Sequence, residues 1–399
     1  MTAMEKKDKN LNVPNLRFPE FSGEWEKCSL GEIGHTSIGL TYSPADVVKE
    51  DGIIVLRSSN IQDGEIDYKD LVRVNKKIKD SLFTKKDDIL ICARNGSPRL
   101  IGKNALISDV DAGHSYGAFM MVYRSEENPF VRQLLCTKRY FAQVGENLGA
   151  RINQITTSDM NSFEFFFPQS KEERNKIALF LRIIDERIST QRKIIEDLKK
   201  LKDAITHSHY RNEMSHSPMV YIGQYITQVS KRNKDAKIDR VLSVSNKYGF
   251  INQDEQFDDR EVASADTSNY KVVHKGDFAY NPARINVGSV ARLQEFENGI
   301  VSPMYVCFTS KKGLLPAYFE LYLSTSIFKH EMNKRLEGSV RLCLTYESLC
   351  NIKIALPEFN VQKDFVSKVS AILTKIRAEE RLLYLYHNCK QYLLSQMFI

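Results

Sequence analysis

Arginine bridges guanine, and asparagine or glutamine bridges adenine, each with two hydrogen bonds in the major groove of a duplex. In this chain of 399 residues such side chains recur in short polar loops beside apolar runs. Arg57, Ser58, Ser59 and Asn60 follow the run at Ile53, and Arg94, Asn95, Ser97 and Arg99 follow the run at Ile89. Arg151, Asn153 and Gln154 precede a run that ends at Pro168. Farther along, Asn246, Lys247 and Tyr248, then Asn281, Arg284 and Asn286, and finally Arg341 occupy comparable places. A single residue of this kind is more often a solvated loop side chain than a base contact. Repeated sets point to nucleic acid, with Arg57, Arg94 and Arg284 ranked first as base or phosphate contacts.

Residues for covalent chemistry are harder to assemble. Gly96-Ser-Pro-Arg-Leu-Ile-Gly102-Lys103-Asn104 resembles a phosphate loop, but it has five residues between the glycines where four are required. Asn104 also stands where a Ser or Thr must reach magnesium. Asn128-Pro129-Phe130 and Asn281-Pro282-Ala283 each hold part of an adenine methyltransferase clamp and lack its second proline. There is no His-Glu-x-x-His pair and no spaced carboxylate cluster. The expectation is a non-catalytic, metal-free chain; the alternative is a DNA-modifying enzyme whose active site goes unrecognised.

Composition agrees without deciding. A net charge of +7 and a pI near 8.8 favour polyanions only modestly over 45.9 kDa. The seven scattered cysteines are the usage of a reducing compartment. Residues 1–11 lack the apolar core of a signal peptide, and no run of about 18 apolar residues suits a membrane span, so a cytoplasmic location is expected.

The elements that would position the loops are written twice. A step of 189 residues takes Gly149 to Gly338, Thr156 to Thr345, Pro168 to Pro357, and Lys86 and Asp88 to Lys275 and Asp277. Leu30-Gly31 answers Ile222-Gly223 at a slightly larger step. Short β-like runs at Ile53–Leu56, Ile89–Ala93, Phe119–Tyr123, Val241–Val244, Phe278–Tyr280 and Tyr305–Phe308, with turns such as Asn298-Gly299, make each half a mixed α+β globule. Each half ends in a long helix. The first, from about Ser170 to His209, carries Ile177, Leu181, Ile184, Ile188, Ile195, Leu198 and Ile205 at heptad spacing; the second, from near Asn360, carries Phe365, Val369, Ile372, Ile376, Leu383, Tyr386 and Leu393. An intramolecular antiparallel pair fits a two-fold repeat best; separate core helices and homodimerisation remain open. The polar stretch His207 to Pro218 reads as a linker. The expected domains are 1–168 (first globule), 169–212 (first long helix and linker), 213–357 (second globule) and 358–399 (second long helix).

The opening Val13-Pro14-Asn15-Leu16-Arg17-Phe18-Pro19-Glu20-Phe21, with Glu24-Trp25 and Leu30-Gly31-Glu32, resembles the start of the specificity subunits of Type I restriction-modification systems. Leu56-Arg57-Ser58-Ser59-Asn60-Ile61 with Asp63-Gly64, Lys86-Asp87-Asp88-Ile89-Leu90, the segment before Phe163 to Pro168, and the helix start at Glu172 are similar to that family as well. The resemblance spans nearly the whole chain, although the second half lacks the Pro-x-Leu-Arg-Phe-Pro opening. It implies two target recognition domains separated by antiparallel helices, each domain reading half of a split double-stranded DNA target. It also implies two methyltransferase subunits that bind S-adenosylmethionine, and restriction subunits that use ATP and magnesium. A third reading, a protein scaffold that never touches DNA, rests on the helices alone.

Overall fold

The computed structural model describes residues 12–150, 153–253, 266–338 and 341–399; Arg151 lies outside them. The chain divides into two compact units. One comprises the residues up to Gln191 together with Leu382–Ile399, and the other is Arg192–Arg381. Each unit therefore holds one sheet-rich domain and part of both long helices.

In the first unit the strand Ile89–Cys92 is apolar at every position and fully buried, as a strand covered on both faces must be. It lies between Met120–Arg124 and Asn104–Leu106, with His35–Ile38 on the outer edge, in an all-antiparallel sheet. A second sheet has the order Ser115–Tyr116, Ile53–Leu56, Val72–Val74, Val47–Val48, its first pair parallel. The second unit repeats the plan. Ile226–Val229, Val306–Ser310, Phe278–Tyr280 and Val290–Arg292 form the antiparallel sheet, and Val241–Ser245 runs parallel to Asn298–Val301 in the other. Asn298-Gly299, expected as a turn, lies within that strand. A side chain at Gly299 would come within 2.4 Å of Leu242 Cδ1, so the glycine marks close approach of neighbours.

The features that recur at the 189-residue step have physical roles. Thr156 and Thr345 cap equivalent short helices, their hydroxyls accepting from Asp159 N at 3.1 Å and Ser348 N at 3.0 Å. Asp88 and Asp277 each accept a backbone N–H three residues back, from Lys85 and His274, both at 2.8 Å. Gly31 and Gly223 let the chain pass these short helices, where a Cβ would meet Asn161 Cβ at 3.1 Å and Cys350 Cβ at 2.7 Å. The first and last strands of each domain form a two-stranded ribbon: Glu26–Ser29 with Glu164–Phe167, and Met219–Tyr221 with Lys353–Ala355.

Ser170 caps the first long helix, Lys171–His216, by accepting from Glu173 N at 3.1 Å. Glu173 is buried and takes both its partners from Arg17, at 2.7 Å each. Arg17 also donates to the carbonyls of Ser22 and Gly23, so the opening segment clasps the helix, with Trp25 buried behind it. The equivalent position of the second long helix, Phe359–Met397, is Gln362. It is also buried, but it accepts from Leu315 N at 2.9 Å and donates to the carbonyls of Gly313 and Pro357.

The helices run antiparallel in both units. In the first, Ile177 and Leu181 share a core with Leu393, Leu394 and Met397, and Lys390 Nζ reaches Asp185 Oδ1 at 2.5 Å. In the second, Lys199 pairs with Glu380 at 2.7 Å, and His209 stacks on Phe365 with centroids 3.7 Å apart. Ile177, Leu181, Ile188, Ile195, Phe365, Val369, Ile376 and Leu393 are buried; Ile184, Leu198, Ile372, Leu383 and Tyr386 are half-buried. Ile205 departs from expectation. It is exposed, and the seam passes instead through Thr206 and Tyr210. A strict heptad drifts about 20° per repeat on a 3.6-residue helix, and one step of four in place of three restores the stripe. The stretch His207–His216 is likewise helix and not linker, because Tyr210 and Glu213 continue the buried face.

Candidate nucleic-acid interface

In the first domain three loops far apart in sequence meet at one end of the two sheets. After the strand Ile53–Leu56 the chain makes a single 3-10 turn, Ser58–Asn60; after Ile89–Cys92 it turns through Arg94–Arg99. Asn95 Nδ2 donates to Ser58 Oγ at 3.0 Å, and Asn153 Nδ2 donates to Gly96 O at 3.2 Å. Arg94 and Gln154 form an isolated antiparallel bridge. The polar residues expected to cooperate are thus brought together, and Arg94, Arg99 and Ser59 are exposed there. Beneath them, burial pushes the Cys92 thiol up to about 11, so it is a packing residue and not a nucleophile.

Three expected contacts serve the loop itself. Asn60 is fully buried, accepts from Arg57 N at 2.9 Å and donates to the carbonyls of Asp67 and Asp70, so it is a brace with no face left for a base. Arg57 is held by Asp70 at 2.7 Å. Asn95 spends its side-chain oxygen on Ser97 N at 3.0 Å, a turn that fixes the loop.

The second domain divides its candidates. Arg284, Arg341 and the half-buried Asn281 line one cleft of about 660 Å³ together with Met304 and Ser302. Asn246 and Asn286 line another, of about 610 Å³, beside Lys329. Lys247 and Tyr248 stand at an exposed hairpin tip, the ammonium 4.9 Å from the ring centroid, and Ser245 Oγ accepts from both backbone N–H groups. Ser289 Oγ donates to Val244 O at 3.1 Å and ties the Asn281–Ser289 loop to the neighbouring sheet.

The near misses for catalysis resolve as structure. Asn128 starts a helix and donates to the carbonyls of Asp87 and Tyr123; Asn104 donates to those of Gly102 and Leu135. Among the described residues no group of three or more His, Cys, Asp or Glu is placed to hold a metal ion, and no helix is long and apolar enough to cross a membrane.

A family model for the Type I restriction modification DNA specificity domain matches residues 22–200. The chain is 23% identical over 369 residues to the Type I restriction enzyme EcoKI specificity subunit of Escherichia coli K12, covering 84% of this chain and 79% of that protein. The chain resembles the Type I specificity subunits over most of its length. The StySPI specificity subunit of Salmonella potsdam is 25% identical to this chain over 192 residues, 45% of this chain and 41% of that one. Its fold is that of the S subunit from M. genitalium, with a TM-score of 0.57 at 17% identity over 97% of this chain and 99% of that one. A further chain, from work on complex assembly and conformational transition of the type I R-M system, gives 0.51 at 14% identity over 94% and 97%. The homologues of this chain are specificity subunits, which are non-catalytic components of their restriction-modification systems.

Phe119 and Met304 were missed as surface residues. Phe119 reads as the first residue of an apolar strand, yet it is 58% exposed, and Met304 is 60% exposed. Met304 stands one residue before the run Tyr305–Phe308, whereas Phe119 is itself the first residue of the run Phe119–Tyr123, so the pattern does not pair them.

Proposed function

We propose that this chain is a specificity subunit and reads a split target in double-stranded DNA, one sheet-rich domain per half-site. The observation that carries this reading is a duplicated scaffold with divergent loops. The antiparallel sheet and the parallel strand pair recur in each unit, while Arg94, Asn95 and Ser97 in one give way to Ala283, Arg284 and Asn286 in the other. A shared frame with different donors and acceptors is what two different half-sites require. Arg94, Arg99, Ser59, Asn153 and Gln154 form the reading surface of the first domain, and Arg284, Arg341, Asn281, Asn246, Lys247, Tyr248 and Asn286 that of the second. Arg151 belongs to the first set by sequence.

The long helices dock two methyltransferase subunits and, through them, restriction subunits. Exposed apolar side chains support this: Leu179, Ile183, Tyr384, Leu385 and Tyr392 in the first unit, Ile194 and Leu201 in the second. The partners supply S-adenosylmethionine, ATP and magnesium chemistry in the cytoplasm. The test is sequencing of methylated sites in cells carrying the whole system, before and after residues 218–357 are exchanged for those of a relative. A split motif in which only one half changes is expected. A continuous motif, or a change in both halves, overturns the reading.

A further inference from the structure

In both domains the chain leaves the parallel strand pair, turns through four residues and enters the central antiparallel sheet. The turns are closed by Met120 N to Gly117 O at 2.8 Å and by Tyr305 N to Ser302 O at 3.1 Å. Phe119 and Met304 hold the third place of their turns, and both are more than half exposed. The backbone of Phe119 is fixed, since its carbonyl accepts from Ala93 N at 2.9 Å and Arg94 N at 3.0 Å. The Arg94 guanidinium lies 5.2 Å from the centroid of the Phe119 ring. Met304 shares its cleft with Arg284 and Arg341. Two divergent sequences thus put an apolar side chain next to arginine at the same solvent-facing point among polar loops.

A lone exposed apolar residue needs no explanation. The same placement in two copies, on turns that border the recognition loops, does. Thymine is the base whose major-groove edge carries a methyl group, and an apolar side chain is what recognises it. The geometry points to Phe119 and Met304 as specificity-determining residues, each packing on the 5-methyl group of a thymine in its own half-site beside an arginine that makes a polar contact. This rests on the half-site reading above.

The test uses the full chain co-expressed with the methyltransferase subunits of its system. Once the methylated motif has been sequenced, binding is measured on duplexes in which each thymine of the motif is replaced in turn by uracil, which removes only the methyl group. Wild type should lose about fourfold at one thymine in each half-site, the weight of one buried methyl. Phe119→Ala should abolish that sensitivity in the first half-site alone, Phe119→Leu should keep it, and Met304→Ala should abolish it in the second alone. If no uracil affects wild type, or sensitivity survives both alanine variants, the assignment is wrong. Loss at a neighbouring guanine with uracil sensitivity intact would mean that Phe119 only positions Arg94, and would overturn it too. Failure of wild type to prefer its motif over a scrambled duplex would refute the half-site reading itself.

Discussion

Glu173 and Gln362 stand at the same place in the two halves, buried in the first turn of a long helix, and the halves meet the same requirement differently. The first half buries a carboxylate and brings Arg17 to it from the opening segment. The second half has no such segment; it uses a neutral amide that satisfies itself on the backbone of Gly313, Leu315 and Pro357. Duplication kept the polar position and lost the charge along with the clasp. A buried polar group must be paired, but the kind of partner is set by what chain lies nearby.

The widest gap between the halves should come from removing one partner. Arg17→Ala leaves Glu173 charged and buried and should cost about 3–5 kcal/mol, read from chemical denaturation of the full chain. Arg17→Ala combined with Glu173→Gln imports the solution of the second half and should recover most of that loss. Failure to recover would mean that the clasp acts through packing of the opening segment and not through the charge.

A smaller effect separates the two glycines. Gly223→Ala drives a methyl to 2.7 Å from Cys350 Cβ and should cost about 1–3 kcal/mol, whereas Gly31→Ala, at 3.1 Å from Asn161, should cost less. Equal thermal shifts would show that the two short helices yield alike. Arg94→Ala should then weaken target binding by about 1–3 kcal/mol and relax one base of the first half-site, with the second half-site read as before. Uniform weakening on matched and mismatched duplexes would make Arg94 a phosphate contact.

The smallest expected effect is the titration of His209 in the second unit, to which burial of His114 in the first unit adds in the same direction. His209 stacks on Phe365, lies 3.1 Å from the Tyr318 hydroxyl and 4.0 Å from Glu213, and faces the charge of Lys368. Burial lowers its pKa below the usual histidine value, Glu213 opposes that, and Lys368 adds to it. The folded state therefore resists a proton that the unfolded state accepts near pH 6.5. Stability should be complete above that pH and fall as pH drops through it toward the lower folded value. Denaturation midpoints should lose part of this acid slope in His209→Gln; an unchanged slope would assign it to other groups.

Much of this was legible because periodicity and repetition are local signals. The 189-residue step picked out Thr156 and Asp88 with their counterparts, since each acts on a backbone N–H three residues away; the neighbour that Gly31 meets, Asn161, is far away in sequence. Ile205 falls off the seam because a strict seven-residue repeat accumulates angular drift on a 3.6-residue helix. His207 to His216 read as linker because the solvent side of a helix is as polar as a loop, and Tyr210 alone marked its buried side. Asn60 misled for another reason. Its partners are carbonyls at Asp67 and Asp70, which have no periodic signature, so a buried brace and a base-reading amide look the same in sequence. Phe119 was hidden by the strand it adjoins.

The ribbons at the base of each domain have a genetic consequence. Because Glu26–Ser29 lies beside Glu164–Phe167, and Met219–Tyr221 beside Lys353–Ala355, each domain departs from the scaffold and returns to it across one strand spacing of about 4.8 Å. A crossover in each ribbon replaces everything that lies between, loops and sheets together. The splice asks only that four backbone hydrogen-bonding strands be rejoined in register, and the helices downstream keep their own sequence. New pairings of half-sites can therefore arise by shuffling whole domains between genes, without passing through point mutants that read neither the old base nor the new one.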